Sequence, residues 1–397
     1  MSSVNHAQEV VCPSCGHSLL RTFFDAPEMP THVNFLCDSR EVAVGCTRGD
    51  IRLALCHHCG LISNTAFDAG LLQYREGYEN SLHYSKVFQD YAEELAERLI
   101  DEFGLRNKTV VEIGCGQGHF LRMLCDKGDN SGIGFDPSHV QAPESPIHTD
   151  NIRIVADLYS ERYADLNADF FLCRQTLEHI HNPNDLLLPL RRSIADGTGT
   201  AVFFEVPNTS YILDHLFVWD IIYEHTSYFT DLSLEVALSH AGFRVANTYA
   251  TFHDQYLCIE AWADEERSHP DTVPTGIRAL QDKISVFEDK YRGYVDGWRD
   301  QLERLAAERK SVVLWGAGSK GVTFLNTFDC HAQIHVVVDV NPKKHGMYIA
   351  GTGQRIVAPD FLTDHPADAI IVVNPVYASE ITRITESLGL EPEFLYL

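Results

Sequence analysis

The chain has 397 residues, of which 45% are hydrophobic and 22% charged, and its formal net charge is −25. This length and composition suit two or three domains with packed cores. The strong negative charge repels nucleic acids and anionic membrane surfaces, so we expect neither as a partner. No apolar run is long enough to cross a bilayer, and the N-terminus lacks the basic start and apolar core of a signal peptide.

The cysteines predict a reducing compartment. There are eleven of them, and several lie in apolar, strand-like stretches such as those around Cys173 and Cys258. An odd number in such positions does not suit a disulfide framework. We therefore expect a cytoplasmic protein whose thiols stay reduced.

Two C-x-x-C pairs near the N-terminus predict a structural zinc site. Cys12 and Cys15 form the first pair, Cys56 and Cys59 the second, and each pair is followed by a glycine that lets the chain turn. Two such turns can present four thiolates to one tetrahedral zinc ion. Two cysteines in the spacer and three nearby histidines are alternative ligands, and unmetallated thiols are the alternative state. Because four protein ligands leave no open position, the metal should stabilise residues 1–75 rather than react.

The next segment predicts a helix followed by a nucleotide-binding turn. Apolar residues at spacings of three and four run from Val87 to Ile100, and Gly104 ends the pattern. Residues 108–124 then have the pattern of a strand, a glycine-rich turn and a second helix.

The glycine-rich turn has the pattern E-x-G-x-G-x-G. Glu112 enters it, and Gly114, Gly116 and Gly118 allow the backbone to pass close beneath a ligand. Asp136 ends the following strand, where a carboxylate can accept hydrogen bonds from both hydroxyls of a ribose. Dinucleotide sites prefer G-x-G-x-x-G, so NAD is the weaker alternative for this turn.

This turn resembles the first motif of class I S-adenosylmethionine (SAM)-dependent methyltransferases. The resemblance implies that the turn and Asp136 bind SAM, with Asp157 near the adenine. Residues 168–180 resemble the fourth-strand motif of those enzymes and the helix that follows it. The order of strand and helix units predicts an α/β fold, with a mostly parallel sheet covered on both faces.

Two more segments complete the chain. Residues 276–309 predict a long helix whose apolar seam packs on its own domains, with a dimeric coiled coil as the alternative. Beyond it, Gly316, Gly318, Gly321 and Asp339 match the dinucleotide fingerprint better than the first turn does. A nicotinamide-dependent oxidoreductase therefore stays open, as does a glycine loop that only packs or holds phosphate.

Together, the four-cysteine module, the SAM turn, the Glu224–His225 pair and the final glycine loop resemble the three-domain C-methyltransferases of nucleotide-linked deoxysugars. The resemblance spans essentially the whole chain. It implies a zinc-binding module at residues 1–75, a class I methyltransferase domain at 76–268, a linking helix at 269–310, and a second Rossmann-like domain at 311–397. In that family the last domain does not use NAD, and the nucleotide part of the substrate lies between the last two domains.

The resemblance also implies the reaction and its residues. The family attaches a methyl group to a carbon next to a ketone, which requires a base to remove a proton from that carbon. His225 matches the family's base, Glu224 precedes it, and Tyr223 and His179 are further catalytic candidates. Tyr78 matches a tyrosine near the methyl donor.

Three departures from the family are visible. Ile222 stands where members often have tyrosine, residues 372–377 lack the usual tryptophan–asparagine pair, and Gln175 stands where many members place asparagine. The first two leave the sugar, its nucleotide and the methylated carbon open. An O- or N-methyltransferase in polysaccharide or natural-product tailoring is the alternative function, and both a monomer and a homodimer are compatible with the chain.

Overall fold

The structure of the protein is a computed structural model with three β-sheets. None of the helices in the described part of the chain is long and apolar enough to span a membrane. The structure describes residues 11–18, 20–72, 78–139, 151–195, 199–263, 273–328 and 333–397.

The first sheet is antiparallel and belongs mostly to the N-terminal module. That module contributes β1 (Leu20–Pro30), α1 (Arg40–Val44), β2 (Arg48–Cys56) and β3 (Ile62–Asn64). The fourth strand of the sheet comes from far along the chain, because Ser227 and Tyr228 pair with Ser63 and Ile62 of β3. The division of the sequence near residue 75 therefore separates strands that form one sheet.

The described part of the middle domain contains a seven-stranded sheet and five α-helices. Its elements are α2 (Lys86–Phe103), β4 (Thr109–Ile113), α3 (His119–Gly128), β5 (Ser131–Phe135), β6 (Ile152–Val155), β7 (Phe170–Arg174), α4 (Asn184–Ser193), β8 (Ala201–Pro207), α5 (Thr209–His215), β9 (Ser227–Tyr228), α6 (Asp231–His240), β10 (Phe243–Thr251) and β11 (Tyr256–Ala263).

The strands of this sheet lie in the order β6-β5-β4-β7-β8-β11-β10. All neighbours from β6 to β8 are parallel, and only β11 runs antiparallel to both of its partners. Alternate residues of the central strands enter two separate cores. Val110 and Phe170 pack with α2 and α3, whereas Val111 and Phe171 pack with α4 and α6. The predicted mostly parallel sheet, covered on both faces, is confirmed.

The long helix α7 (Ile277–Ala307) packs its apolar seam within its own chain. Phe287 and Tyr291 are buried against Phe23 and Phe24 of β1. The seam therefore needs no second chain to leave water, as expected for a connecting helix.

The C-terminal domain is a five-stranded, wholly parallel sheet in the order β14-β13-β12-β15-β16. This confirms a second Rossmann-like domain. Its elements are β12 (Val312–Trp315), α8 (Ser319–Thr327), β13 (Ile334–Val338), β14 (Arg355–Val357), α9 (Phe361–Asp364), β15 (Ala369–Val372), α10 (Ala378–Ser387) and β16 (Glu393–Tyr396). Short 3₁₀ helices lie at Ala69–Leu71, Glu161–Tyr163, Leu177–His179, Val218–Asp220, Pro342–Lys344 and Pro375–Tyr377.

A glycine in β2 permits the closest contact between the N-terminal module and the segment before β9. A Cβ atom added to Gly49 would lie 2.4 Å from Cε2 of the fully buried Tyr223 ring. Gly49→Ala should therefore lower the free energy of unfolding in urea by about 1–3 kcal/mol through overpacking. Gly293→Ala is the control, because its Cβ would meet nothing within 4 Å on α7, and it should stabilise by about 0.5–1 kcal/mol. Equal effects of the two substitutions would contradict this packing.

Candidate active site and zinc site

The glycine-rich turn after β4 packs on one side and is open on the other. Gly114, Gly116 and Gly118 have φ angles of 74°, 53° and 78°, which side chains rarely adopt. A Cβ on Gly114 would lie 1.9 Å from Oγ1 of Thr176, whereas a Cβ on Gly116 would meet no atom within 4 Å. The turn therefore rests on the segment after β7 and leaves space for a ligand at Gly116.

Asp136, at the carboxyl end of β5, braces this turn. Its Oδ2 accepts a hydrogen bond from Gly116 N at 2.8 Å, and its Oδ1 accepts from Ser138 N at 2.8 Å and Ser138 Oγ at 2.6 Å. A carboxylate has about four acceptor positions, so about one position, on Oδ2, remains for a ribose hydroxyl. An open glycine turn and a carboxylate on adjacent parallel strands fit the nucleoside of SAM.

Asp157 and Gln175, which are also predicted to contact SAM, each form hydrogen bonds with neighbouring residues. Asp157 accepts hydrogen bonds from Leu158 N at 2.8 Å and the Tyr163 hydroxyl at 2.6 Å, and the Tyr163 bond is the main cause of its lowered pKa. Gln175 follows β7 with φ 48°, and its Nε2 donates to Glu205 Oε1 at 3.1 Å. Their contacts with SAM stay predictions.

A buried polar network beneath the turn includes residues that sequence reasoning missed. Burial raises the pKa of Glu112 to about 8, against the opposing effect of the Arg174 guanidinium. Arg174 pairs with the fully buried Glu205 at 3.1 Å, and the Tyr91 hydroxyl also donates to Glu205. The sequence does contain a signal for this network, because Glu112, Arg174 and Glu205 each lie at or near the carboxyl end of an apolar strand. Open α/β sheets place their ligand sites there.

His225 lies in a segment, residues 217–230, that is buried throughout. Its ring stands edge-on to the His179 ring, with centroids 5.0 Å apart. Burial lowers the pKa of His225 well below its usual value, and the His179 and Lys320 charges act in the same direction. His225 is therefore a neutral imidazole at neutral pH, as a base must be.

His179 and Glu178 accompany His225. His179 Nδ1 donates to the Glu224 carbonyl at 3.1 Å, which leaves Nε2 as an acceptor, and burial lowers its pKa to about 4. Burial raises the pKa of Glu178 to about 8, so this carboxyl is mostly protonated at neutral pH. One polar side-chain atom from each of Glu178, His179 and His225 lies within 4.8 Å of the other two.

Glu224 is held by the N-terminal module. Its Oε2 accepts from Val33 N at 3.2 Å, and a hydrogen bond from Tyr78 opposes the rise in pKa that burial causes, to about 7. Asn34 Nδ2 lies 3.5 Å from the Tyr78 hydroxyl. The structure therefore brings Tyr78 and Glu224 together, with support from residues near the zinc module.

The Tyr223 side chain points into the N-terminal module. Its hydroxyl accepts from Asp68 N at 2.8 Å and donates to Asp68 O at 3.1 Å, inside the N-terminal module. These two hydrogen bonds give the Tyr223 hydroxyl a structural role away from His225, contrary to the expectation from the sequence that Tyr223 is a catalytic residue. Residues 222–225 form a turn, closed by a hydrogen bond from His225 N to Ile222 O at 3.2 Å, so proximity in the sequence did not bring both side chains to one site.

The four cysteine sulfurs converge as predicted. Cys12 Sγ lies 3.6 Å from Cys59 Sγ, Cys15 Sγ lies 3.6 Å from Cys56 Sγ, and all four lie within 4.8 Å of one another. A tetrahedral zinc ion with Zn–S bonds of about 2.3 Å requires sulfurs about 3.8 Å apart. The spacing fits that ion, and the two spacer cysteines are not in the group.

Comparisons with known proteins agree with this architecture. Residues 85–248 match the family model described as a methyltransferase domain, and residues 276–390 match the model described as a C-methyltransferase C-terminal domain. C-methyltransferase NovU from Streptomyces niveus is 24% identical over 417 residues, covering 97% of this chain and 92% of that protein.

Other relatives match only part of the chain. Ubiquinone biosynthesis O-methyltransferase from Escherichia coli O127:H6 is 28% identical over 111 residues, covering 26% of this chain and 45% of that protein. Among solved structures, a 1,6-didemethyltoxoflavin-N1-methyltransferase from Burkholderia thailandensis, with S-adenosylhomocysteine bound, has 19% identity and a TM-score of 0.35. It covers 45% of this chain and 82% of that one.

The strand order, the glycine turn and the matched methyltransferase domain define a class I SAM-dependent methyltransferase. More particularly, the chain resembles the three-domain C-methyltransferases. It combines that domain with the C-methyltransferase C-terminal domain and is similar to NovU over nearly its whole length.

Asp136 gives a test of the SAM site. Asp136→Ala removes a carboxylate that braces Gly116 and is predicted to bind the ribose, so S-adenosylhomocysteine binding should weaken by about 1.5–3 kcal/mol. Isothermal titration calorimetry measures this change. Asp126→Asn, which removes an exposed carboxylate paired with Arg122 on α3, is the control and should bind normally. Unchanged affinity in Asp136→Ala would exclude the predicted contact.

Cys56 gives a test of the zinc site. Wild-type protein should contain about one zinc ion per chain, and Cys56→Ser should lose it because three thiolates hold zinc poorly. Metal analysis and thermal unfolding measure both effects. Cys46→Ser, which alters a spacer cysteine outside the four-sulfur group, should retain zinc. Full metal content in Cys56→Ser would contradict the ligand assignment.

Proposed function

We propose that this enzyme methylates a carbon next to the ketone of a nucleotide-linked keto-sugar, and that His225 removes the proton from that carbon. SAM, when bound, supplies an electrophilic methyl group on its sulfonium. Residues of this chain must then bind the sugar, remove one proton from carbon and hold the resulting enolate in line with that methyl. The cytoplasm, where SAM and sugar nucleotides are available, is the proposed location.

The neutral, buried His225 is the observation that carries this proposal. A carbon acid next to a ketone is weak, so the base must be unprotonated and shielded from water. His225 meets both conditions. Its partner His179 lies close enough to Asp136 of the SAM turn for that carboxylate to oppose the lowering of its pKa. Base and methyl donor would thus face one reaction space.

The junction between the last two domains supports a substrate that both domains bind. Gln255 of the middle domain and Asn374 of the C-terminal domain exchange amide hydrogen bonds of 2.9 Å in both directions. Lys320 and Asp220 form an ion pair of 2.8 Å across the same junction. A substrate with a sugar at His225 and a nucleotide against the C-terminal domain suits such a shared surface.

The similarity to NovU over 97% of this chain favours carbon over oxygen as the methyl acceptor. The E. coli O-methyltransferase matches only 26% of the chain. We therefore favour C-methylation over the O- or N-methylation alternative.

His225→Ala gives the test of the base. The variant should still bind S-adenosylhomocysteine, since His225 does not form the glycine turn. It should lose about 10²–10⁴-fold in solvent deuterium exchange at the α-carbon of the keto-sugar and in methyl transfer. Proton NMR in D₂O measures exchange, and normal exchange in this variant would remove the assignment. His181→Ala is the control, because His181 stacks on Phe67 instead of on the His225 ring.

The substrate class is tested by product mass. Wild-type enzyme is incubated with methyl-labelled SAM and a panel of nucleoside diphosphate 4-keto-sugars, together with their 4-hydroxyl counterparts. We expect labelled product only from the keto compounds, with the label on carbon by NMR. Labelled product from the hydroxyl compounds would instead establish O-methylation.

A further inference from the structure

The C-terminal glycine loop is a motif without a role in the reaction described so far. Lys320 lies in the first turn of α8, directly after Gly316 and Gly318 of that loop. Instead of extending into solvent, its ammonium pairs with Asp220 Oδ1 at 2.8 Å, and the exposed fractions of the two side chains are only 16% and 11%. The C-terminal domain therefore places a cation against the segment that carries His225.

Asp220 fixes where that cation lies. It is five residues before His225 in the buried segment 217–230, and its charge raises the pKa values of Glu178 and Tyr228. The preceding Trp219 packs on Phe324 of α8 with ring centroids 5.0 Å apart. The pair thus lies on the buried segment that carries His225, and the positive charge of Lys320 contributes to the lowered pKa of His225, after burial and His179.

We propose that Lys320 is a catalytic residue supplied by the C-terminal domain, and that its ammonium binds the enolate oxygen formed when His225 removes the α-proton. This rests on the proposed function. The α C–H bond breaks, its proton goes to His225, and its electron pair forms a carbon–carbon double bond while the carbonyl electrons move to oxygen. When the enolate carbon takes the methyl group, the carbonyl is restored and the sulfur keeps the electrons of the broken S–CH₃ bond.

Apart from the Glu178 carboxyl, three hydrogen-bond donors near His225 are already used. The Tyr228 hydroxyl bonds to both N and O of Ile222, and the Tyr223 hydroxyl bonds to Asp68. His179 Nδ1 donates to the Glu224 carbonyl. Lys320 has three N–H groups, and the structure shows one of them directed to Asp220. An ammonium with free donors is therefore available for a new anionic oxygen.

The protonated Glu178 carboxyl is the competing donor. It is neutral, and charge-assisted hydrogen bonds are roughly twice as strong as neutral ones. An ammonium also lowers the basicity of His225, which would be a disadvantage unless it stabilised the negative charge that the reaction creates. Placing a fixed charge where an oxyanion develops is usually the largest single contribution to such catalysis.

Removing Lys320 alone leaves Asp220 buried and unpaired, which destabilises the fold by itself. The experiment therefore compares Lys320→Met with the double variant Asp220→Asn/Lys320→Met, in which no charge is left unpaired. Lys320→Arg keeps the charge. Lys310→Met is the control, because it removes a more exposed lysine of the chain that pairs with Glu393 at 2.7 Å.

Each variant is measured for S-adenosylhomocysteine binding, for α-deuterium exchange of a nucleoside diphosphate 4-keto-sugar, and for kcat and KM of methyl transfer. We expect exchange and kcat to fall about 10²–10³-fold in both Met variants with KM little changed. Lys320→Arg should keep part of the rate, and Lys310→Met should have normal activity. All of the variants should bind S-adenosylhomocysteine normally.

Three results would overturn the proposal. A raised KM with unchanged kcat would assign Lys320 to the substrate phosphates. Recovery of exchange in the double variant would make the lysine a structural counter-ion. Loss of exchange in Glu178→Gln but not in Lys320→Met would assign the oxygen to Glu178. If the wild-type enzyme itself showed no exchange, the proposed function would fail as well. Wild-type exchange that is lost in His225→Ala but kept in Lys320→Met would refute only the role proposed for Lys320.

Discussion

The buried segment 217–230 is the part of the molecule on which the rest of the site depends. It carries His225 but has almost no regular structure of its own, so its conformation must come from its neighbours. On one side, β9 pairs with β3 and Glu224 accepts a hydrogen bond from Val33. On the other side, Trp219 packs on α8 of the C-terminal domain. The middle domain contributes the hydrogen bonds from Thr226 to the Glu178 carbonyl. Three domains therefore hold one catalytic segment.

This arrangement explains why a structural zinc site belongs in such an enzyme. The second cysteine pair comes immediately before β3, and β3 is the strand that pairs with the catalytic segment. Zinc at the predicted site would fix the turn that leads into β3 and so help to hold that strand in place. The zinc would thus take no part in the reaction, although its ligands lie only a few residues from β3, the strand that pairs with the segment carrying His225.

Burial also decides the charge state of the site. The protein has a large negative charge, but burial raises the pKa values of Glu112 and Glu178 to about 8 and that of Glu224 to about 7. The buried Glu205 and Asp220 are instead paired with Arg174 and Lys320. The same desolvation keeps His179 and His225 unprotonated. In the proposed reaction, which turns a ketone into an enolate, the new negative charge would therefore form at a buried site of low dielectric constant, where a nearby cation would have a strong effect.

Local patterns in the sequence determined the parts that local interactions build. The helix ending at Gly104, the glycine turn with Asp136 and the two cysteine pairs were predictable, because periodicity, backbone freedom and ligand chemistry act over short stretches. Only the tertiary structure decided which residues of the aromatic segment reach the pocket. Tyr223 turned into the N-terminal module, whereas Lys320 of the C-terminal domain was brought against Asp220, in the segment that carries His225. Such contacts depend on how three domains pack together, and no pattern within one segment specifies that packing.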